Sequence, residues 1–367
     1  MRVVLTGGGS GGHLFPLIAV SRSLEKMESQ SEFLFLGPKG QLEKKIMNDN
    51  QIRIKYVASG KARRYFSFKY IIDIFKLPLG IIQSLWHLLW FMPDAVFSKG
   101  GHAAIPVVVA AWIYRIPILT HESDSVPGVA NRVIGKFSDR IAISYNRARR
   151  YFVEGKLLLT GNPVIEEINQ GSKEAFIEKV GLTESRPIML VIGGSQGAQN
   201  INIAIARFLP KLLKHVQVVH QTGEKNYEET IRMAREVGVK EGRGGYFPFT
   251  FFNTKDLSNA YSAADIVISR AGANSISEIA SNKKPVILIP LPTAANNHQS
   301  MNAYELVEAG GAVALEENNL VENIFLQNIE KILHEEGFAD KLIKNIEKFY
   351  HFDAADKIAK GLKDITS

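Results

Sequence analysis

The chain has 367 residues, 46% hydrophobic and 22% charged, enough for about two globular domains and too apolar for a disordered chain. It contains no cysteine, which excludes disulfides, thiolate metal sites, iron–sulfur clusters and cysteine nucleophiles. The net charge of +7 is unevenly spread: residues 1–161 carry 22 basic and 11 acidic side chains, the remainder 22 and 26. A basic first half suits an anionic surface, either membrane or nucleic acid.

The N-terminal Met1-Arg2-Val3-Val4-Leu5-Thr6 runs straight into glycines, so no signal peptide is expected. Continuous apolar runs at 3–5, 33–36, 95–97, 118–120 and 140–143 read as buried strands, and so do 188–192, 216–220, 266–269 and 286–289. Strands without alternation are covered on both faces, hence parallel. Helix-like segments between them predict two Rossmann-like, doubly wound α/β domains. The boundaries expected are 1–161 and 162–345, joined at Gly161-Asn162-Pro163. A C-terminal helix over 346–367 either stays with the second domain or returns to the first.

The strand at 3–5 leads into Gly7-Gly8-Gly9-Ser10-Gly11-Gly12-His13, a G-x-G-x-x-G match in strand–turn–helix context. Such a turn lets backbone approach a ligand and aims helix N–H groups at an anion. A nicotinamide enzyme would place an acid after the second strand, where this chain has Gly37-Pro38-Lys39, and that reading falls. Lys61, Arg63, Arg64, Phe66, Phe68 and Lys69 interleave basic and aromatic side chains ahead of the apolar stretch 71–92. That mixture suits an anionic bilayer surface. Its most apolar part, 77–92, falls short of the roughly 20 residues a membrane span needs.

Gly193-Gly194-Ser195-Gln196-Gly197-Ala198 repeats the anion cradle after the strand at 188–192, without the lysine of a P-loop. Two such loops point to a phosphate-bearing ligand. After 266–269 come Arg270-Ala271-Gly272-Ala273-Asn274-Ser275-Ile276-Ser277-Glu278, with a helix expected near Ser275 and Arg270 available as a charge. Glu278 reads either as a ribose-binding carboxylate or as a capping-box partner of Ser275. The loop ending at Gln299 offers amides for sugar hydroxyls.

Gly8-Gly9-Ser10-Gly11-Gly12-His13, His121-Glu122, Gly193 to Ala198, Arg270 to Ile279 and the Asn-rich loop ending at Gln299 together resemble the MurG family, from about residue 2 to about 315. The resemblance implies a GT-B fold, two Rossmann-like domains facing a central cleft, and inverting transfer of GlcNAc from UDP-GlcNAc to the muramoyl 4-hydroxyl of lipid I (undecaprenyl-pyrophosphoryl-muramoyl peptide). The product is lipid II, for peptidoglycan synthesis and with it cell shape and division. It implies donor contacts at Ser10, Gly11, Gly12, Asp124, Ser195, Phe252, Ala273, Asn274, Ser275, Ile276, Ser277, Glu278 and Gln299. It also implies a peripheral enzyme on the cytoplasmic face of the cell membrane and makes nucleic acid an unsuitable partner. Two positions depart from the family pattern: Asp124 replaces an Asn, and Ile165 replaces a phosphate-contacting Arg.

Inverting transfer needs a base and a stabilised leaving group. His13, which titrates nearest neutral pH, is the first candidate base and Glu122 the second, with His121–Glu122 as an orienting pair the alternative. His102 is a further candidate for acceptor phosphates. The lack of a tight Asp-x-Asp pair means that neither a metal nor another cofactor is required. Two other functions fit the same residues: a GT-B transferase with another lipid or small-molecule acceptor, and a non-catalytic nucleotide-sugar-binding protein.

Overall fold

Strands covered on both faces need apolar side chains pointing both ways, and this chain supplies them in two separate parallel sheets. The structure, a computed structural model, describes residues 1–9, 11–60, 68–194, 197–242 and 244–366, with backbone alone for 68–75 and 295. It divides into unit 1, Met1–Ile165 with His351–Ser367, and unit 2, Glu166–Tyr350.

Unit 1 runs β1 (Arg2–Thr6), α1 (Gly11–Met27), β2 (Glu32–Gly37), α2 (Gln41–Asp49), β3 (Arg53–Tyr56), α3 (Phe68–Phe91) and β4 (Ala95–Ser98). It continues through α4 (Ile105–Ile113), β5 (Ile118–Glu122), α5 (Val129–Phe137), β6 (Arg140–Ile143) and β7 (Leu157–Leu159). The sheet order is β3-β2-β1-β4-β5-β6-β7, every pair parallel. Val3 and Leu5 turn to one face, against Leu17, Phe35 and Phe97, and Val4 turns to the other, against Leu88, Val96 and Val107. Each side chain so buried contributes about 1.5–3 kcal/mol.

Unit 2 runs α6 (Lys173–Val180), β8 (Ile188–Ile192), α7 (Gln199–Leu212), β9 (Gln217–Gln221), α8 (Tyr227–Glu236), β10 (Tyr246–Phe249) and α9 (Thr254–Ala263). Then come β11 (Ile266–Ser269), α10 (Ala273–Ser281), β12 (Val286–Leu288), α11 (His298–Glu308), β13 (Val313–Ala314), α12 (Glu322–His334) and α13 (Phe338–Ile346). Its parallel order is β10-β9-β8-β11-β12-β13. These sheets bear out the α/β architecture expected from sequence. The last helix, α14 (Ala354–Asp364), sends Ile358, Ala359 and Leu362 into the core of unit 1.

In α3, Gly80, Ser84 and Leu88 form the buried face. A Cβ at Gly80 would collide with the Ala58 carbonyl and stand 3.1 Å from Pro106, so glycine permits this close approach to α4. The opposite stripe carries Leu79, Ile82, Trp86, Leu89 and Trp90, with Trp90 70% exposed. Among the described residues no helix is long and apolar enough to cross a membrane.

Candidate active site

In both sheets strand order reverses beside the first strand of the unit, between β1 and β4 and between β8 and β11. Ligands of open parallel sheets bind at the carboxyl ends of strands beside such a reversal. The loops there are the glycine turn after β1 and Lys99-Gly100-Gly101-His102 after β4 in unit 1. In unit 2 they are the turn after β8, described at Gly193, Gly194, Gly197 and Ala198, and Arg270–Gly272.

In unit 1, Gly11 and Gly12 are already the first residues of α1. His13 lies half-buried in that first turn, and its Nδ1 has no hydrogen-bond partner. Burial, then the Lys99 charge, lowers its imidazole to about 4. Glu122 ends β5 and is buried. Its Oε1 accepts from the Asp124 backbone N–H at 2.9 Å and its Oε2 from Asn131 Nδ2 at 2.8 Å. Burial, then the neighbouring Asp124, raises this carboxyl to about 7, with Asn131, Lys99 and the Asp124 N–H acting the other way.

Asn131, on α5, also accepts from the Gly101 N–H at 3.1 Å and so ties Glu122 to the turn after β4. Gly100 has φ +83, and a Cβ there would overlap the Asn131 amide, so this turn requires glycine. The expected His121–Glu122 pair does not form, because adjacent strand residues face opposite sides of the sheet. His121 instead donates from Nε2 to the Gly161 carbonyl at 3.1 Å and lies near Ser144 Oγ. Burial holds it neutral, well below the ordinary imidazole range. His102 is exposed in the turn leading to α4. Glu43, which pattern alone did not single out, accepts from the Gly9 N–H at 3.0 Å, so a carboxylate already holds part of the glycine turn.

In unit 2 the helix after β11 starts at Ala273, with Gly272 as its N-cap, two residues before the expected Ser275. A capping box of Ser275 and Glu278 is therefore absent. Glu278 accepts from Tyr261 OH at 3.3 Å. Burial raises its carboxyl to about 7. Ala273 and Ile276 turn their side chains inward, and Ser277 Oγ donates to the Ala273 carbonyl at 2.9 Å. Asn274 and Ser275 are half-buried on the same first turn.

Arg270 does not stand free for an anion as expected. It is buried in an ion pair with Glu317 and donates from Nη1 to the Ile289 and Pro290 carbonyls at 3.1 and 3.3 Å. Phe252 packs on Phe176 and Phe249, and its N–H donates to Gln221 Oε1 at 3.0 Å. Gln221 also donates to the Gly194 carbonyl at 3.4 Å, linking Phe252 to the second glycine turn. Gln299 Oε1 accepts from the Leu291 N–H at 3.0 Å. Ile165 packs against the unit 1 core, as an apolar side chain must. Ser10, Ser195, Lys61, Arg63, Arg64 and Phe66 lie outside the described residues, as do the side chains of Phe68 and Lys69.

Two parallel-sheet units, each with a glycine turn beside its strand-order reversal, define a two-domain Rossmann-like α/β class, and the comparisons narrow it. The sequence model of the glycosyltransferase family 28 N-terminal domain matches residues 3–143, and that of the C-terminal domain matches 188–358. The UDP-N-acetylglucosamine--N-acetylmuramyl-(pentapeptide) pyrophosphoryl-undecaprenol N-acetylglucosamine transferase of Lachnospira eligens is 37% identical over 99% of both chains. The protein of that name from Legionella pneumophila is 36% identical over 99% of this chain and 96% of its own length. The crystal structure of Acinetobacter baumannii MurG superposes with a TM-score of 0.74, at 22% identity over 99% of both chains. A UDP-GlcNAc 2-epimerase from Neisseria meningitidis, bound to UDP-GlcNAc, shares the fold at a TM-score of 0.71 and 14% identity, over 99% of this chain and 100% of its own. The chain belongs to glycosyltransferase family 28, within its MurG family.

Proposed function

We propose that the protein transfers GlcNAc, with inversion, from UDP-GlcNAc to the muramoyl 4-hydroxyl of lipid I, giving lipid II for peptidoglycan synthesis. The observation that carries this reading is near full-length similarity to relatives named for that transfer. On this reading unit 2 holds UDP-GlcNAc and unit 1 works on the acceptor. Glu278 accepts from ribose hydroxyls, and the Phe252 carbonyl meets the uracil. The first-turn amides of α10 and those of the turn after β8 meet the diphosphate. Gln299 keeps its Nε2 for the sugar while Oε1 holds its own loop.

In the transfer, the acceptor oxygen bonds to C1 of GlcNAc, the C1–diphosphate bond breaks, and UDP leaves with the electron pair. The hydroxyl proton passes to a base. Glu122, raised to about 7, is matched to neutral pH, whereas His13 at about 4 is a much weaker base. Glu122 therefore takes the proton. Asp124 holds its place beside Glu122 through its own N–H.

The site of action on this reading is the cytoplasmic face of the cell membrane, where a nucleotide sugar and a lipid-linked acceptor meet. The exposed Trp86, Trp90 and Ile82 stripe of α3, in the basic half of the chain, suits peripheral contact with an anionic bilayer. The reading is tested by transfer of labelled GlcNAc from UDP-GlcNAc to a short-chain lipid I analogue in EDTA. Formation of the lipid II disaccharide is expected. Donor binding without transfer to that acceptor would overturn it in favour of another acceptor or a binding-only role.

A further inference from the structure

The transfer as written gives no role to the turn after β6, Asn146–Tyr151, which carries Arg147, Arg149 and Arg150. The β5–β6 register pairs Glu122 with Ile143, and the Ser144 N–H donates to the Glu122 carbonyl at 3.1 Å. The turn therefore starts level with Glu122. It packs on α5, where a Cβ at Gly135 would stand 2.9 Å from the Phe152 ring, so glycine admits it. Tyr151 carries two cations on its ring, the Arg132 guanidinium from α5 at 4.4 Å from the centroid and that of Arg150 at 4.9 Å. Both are held there. Arg132 donates from Nε to the Pro127 carbonyl at 3.2 Å, and Arg150 from Nη2 to Tyr151 OH at 3.0 Å. Glu154 is the only acid between Ser144 and Lys156 in sequence, and it pairs with Arg149 at 3.1 Å. Among the described residues neither Arg132 nor Arg150 has a carboxylate partner. Two like charges on one ring repel each other, and a bound anion removes that cost. The N–H groups left at a guanidinium edge match a carboxylate or a phosphate.

Position decides which anion. Asn131, whose Nδ2 donates to Glu122 Oε2 at 2.8 Å, is the neighbour of Arg132 on α5, so the arginine pair borders Glu122. In a muramoyl sugar the peptide hangs from the lactyl ether at carbon 3, next to the 4-hydroxyl. A peptide leaving the sugar there passes beside Glu122, whereas the diphosphate, at carbon 1, lies across the ring. We propose that Arg132 and Arg150, set on Tyr151, bind a carboxylate of the acceptor's peptide and make the enzyme selective for an acidic stem. The inference rests on the reading of Glu122 as the base that meets the acceptor hydroxyl. Arg147, half-buried in the same turn, adds to the positive field.

The test compares kcat/KM of the full-length protein for two short-chain lipid I analogues, without lipid vesicles. Their peptides end in a free carboxylate or in its carboxamide. The carboxylate analogue should be preferred about five- to tenfold, as charge-assisted pairs with two arginines give. Arg132→Met/Arg150→Met should bring that preference to about one, through acceptor KM, with donor KM as in the wild type. Should the double variant not fold, the wild type decides alone: about 0.5 M salt should cut the preference to below about twofold, because exposed pairs are screened. Equal use of both analogues by the wild type, or a preference that survives the double substitution, would overturn the proposal and leave the transfer standing. No transfer to either analogue, with donor bound, would sink the acceptor reading and the proposal with it. Equal use of both analogues, with weaker binding of the double variant to phosphatidylglycerol vesicles, would overturn the proposal in favour of a lipid headgroup.

Discussion

The carboxyl edges of the two sheets have the same topology and opposite chemistry. In unit 1 the carboxyl edge around the strand-order reversal carries His13, Lys99 and Glu122, buried or half-buried, with shifted titrations to which the Asp124 charge contributes. Among the described residues, the corresponding place in unit 2 holds backbone amides, small side chains and one perturbed carboxyl, Glu278. The strong cation there, Arg270, is already neutralised by Glu317. Interacting charges held out of water suit the movement of a proton. Amides at a helix N-terminus with a single carboxylate suit the holding of a nucleotide. On the proposed function, one fold used twice separates binding from chemistry by what its loops carry.

The sharpest break of this comparison is Glu122→Gln. It is expected to lower kcat by about 10²–10⁴-fold, as loss of a general base does, in the lipid I transfer assay. A loss of only a few-fold would remove the chemistry from that edge. Next comes Arg270→Met, which strands the buried Glu317 carboxylate and should cost about 3–5 kcal/mol in urea unfolding. Full stability with a raised donor KM would instead make Arg270 a diphosphate ligand.

Glu278→Gln is expected to raise the KM for UDP-GlcNAc about tenfold at pH 8, with kcat little changed. Because Glu278 is ionised above about 7, wild-type donor KM should rise as pH falls from 8 to 6, and the Gln variant should be flat. The smallest effect belongs to Tyr261→Phe. Losing its hydrogen bond pushes Glu278 further up and should raise donor KM by about two- to fivefold at pH 7, checked in the same assay.

The central strands were legible because both of their faces are buried. β8 is an unbroken apolar run, and β1 and β4 each carry three consecutive apolar residues. The edges were not. β3 alternates as Arg-Ile-Lys-Tyr and β13 is two residues long, since an edge strand pairs on one side and needs less apolar surface. The start of α1 at Gly11 was hidden because glycines favour turns in isolation, and only the tertiary frame makes them helical. In the site, His13 and Glu122 stood out as candidates because one closes the glycine turn after β1 and the other stands at the carboxyl end of β5. Asn131, Glu43 and Tyr261 were not, because each acts through a partner 9 to 34 residues away, and no local spacing marks it. Arg270 misled for the same reason: its partner Glu317 comes from a turn 47 positions on.

The division between the two edges is tested most directly by calorimetric binding of UDP-GlcNAc to Glu122→Gln and Glu278→Gln at pH 8. The account predicts wild-type affinity for Glu122→Gln and a loss of about tenfold for Glu278→Gln. A loss of donor affinity in Glu122→Gln, with Glu278→Gln binding normally, would contradict it.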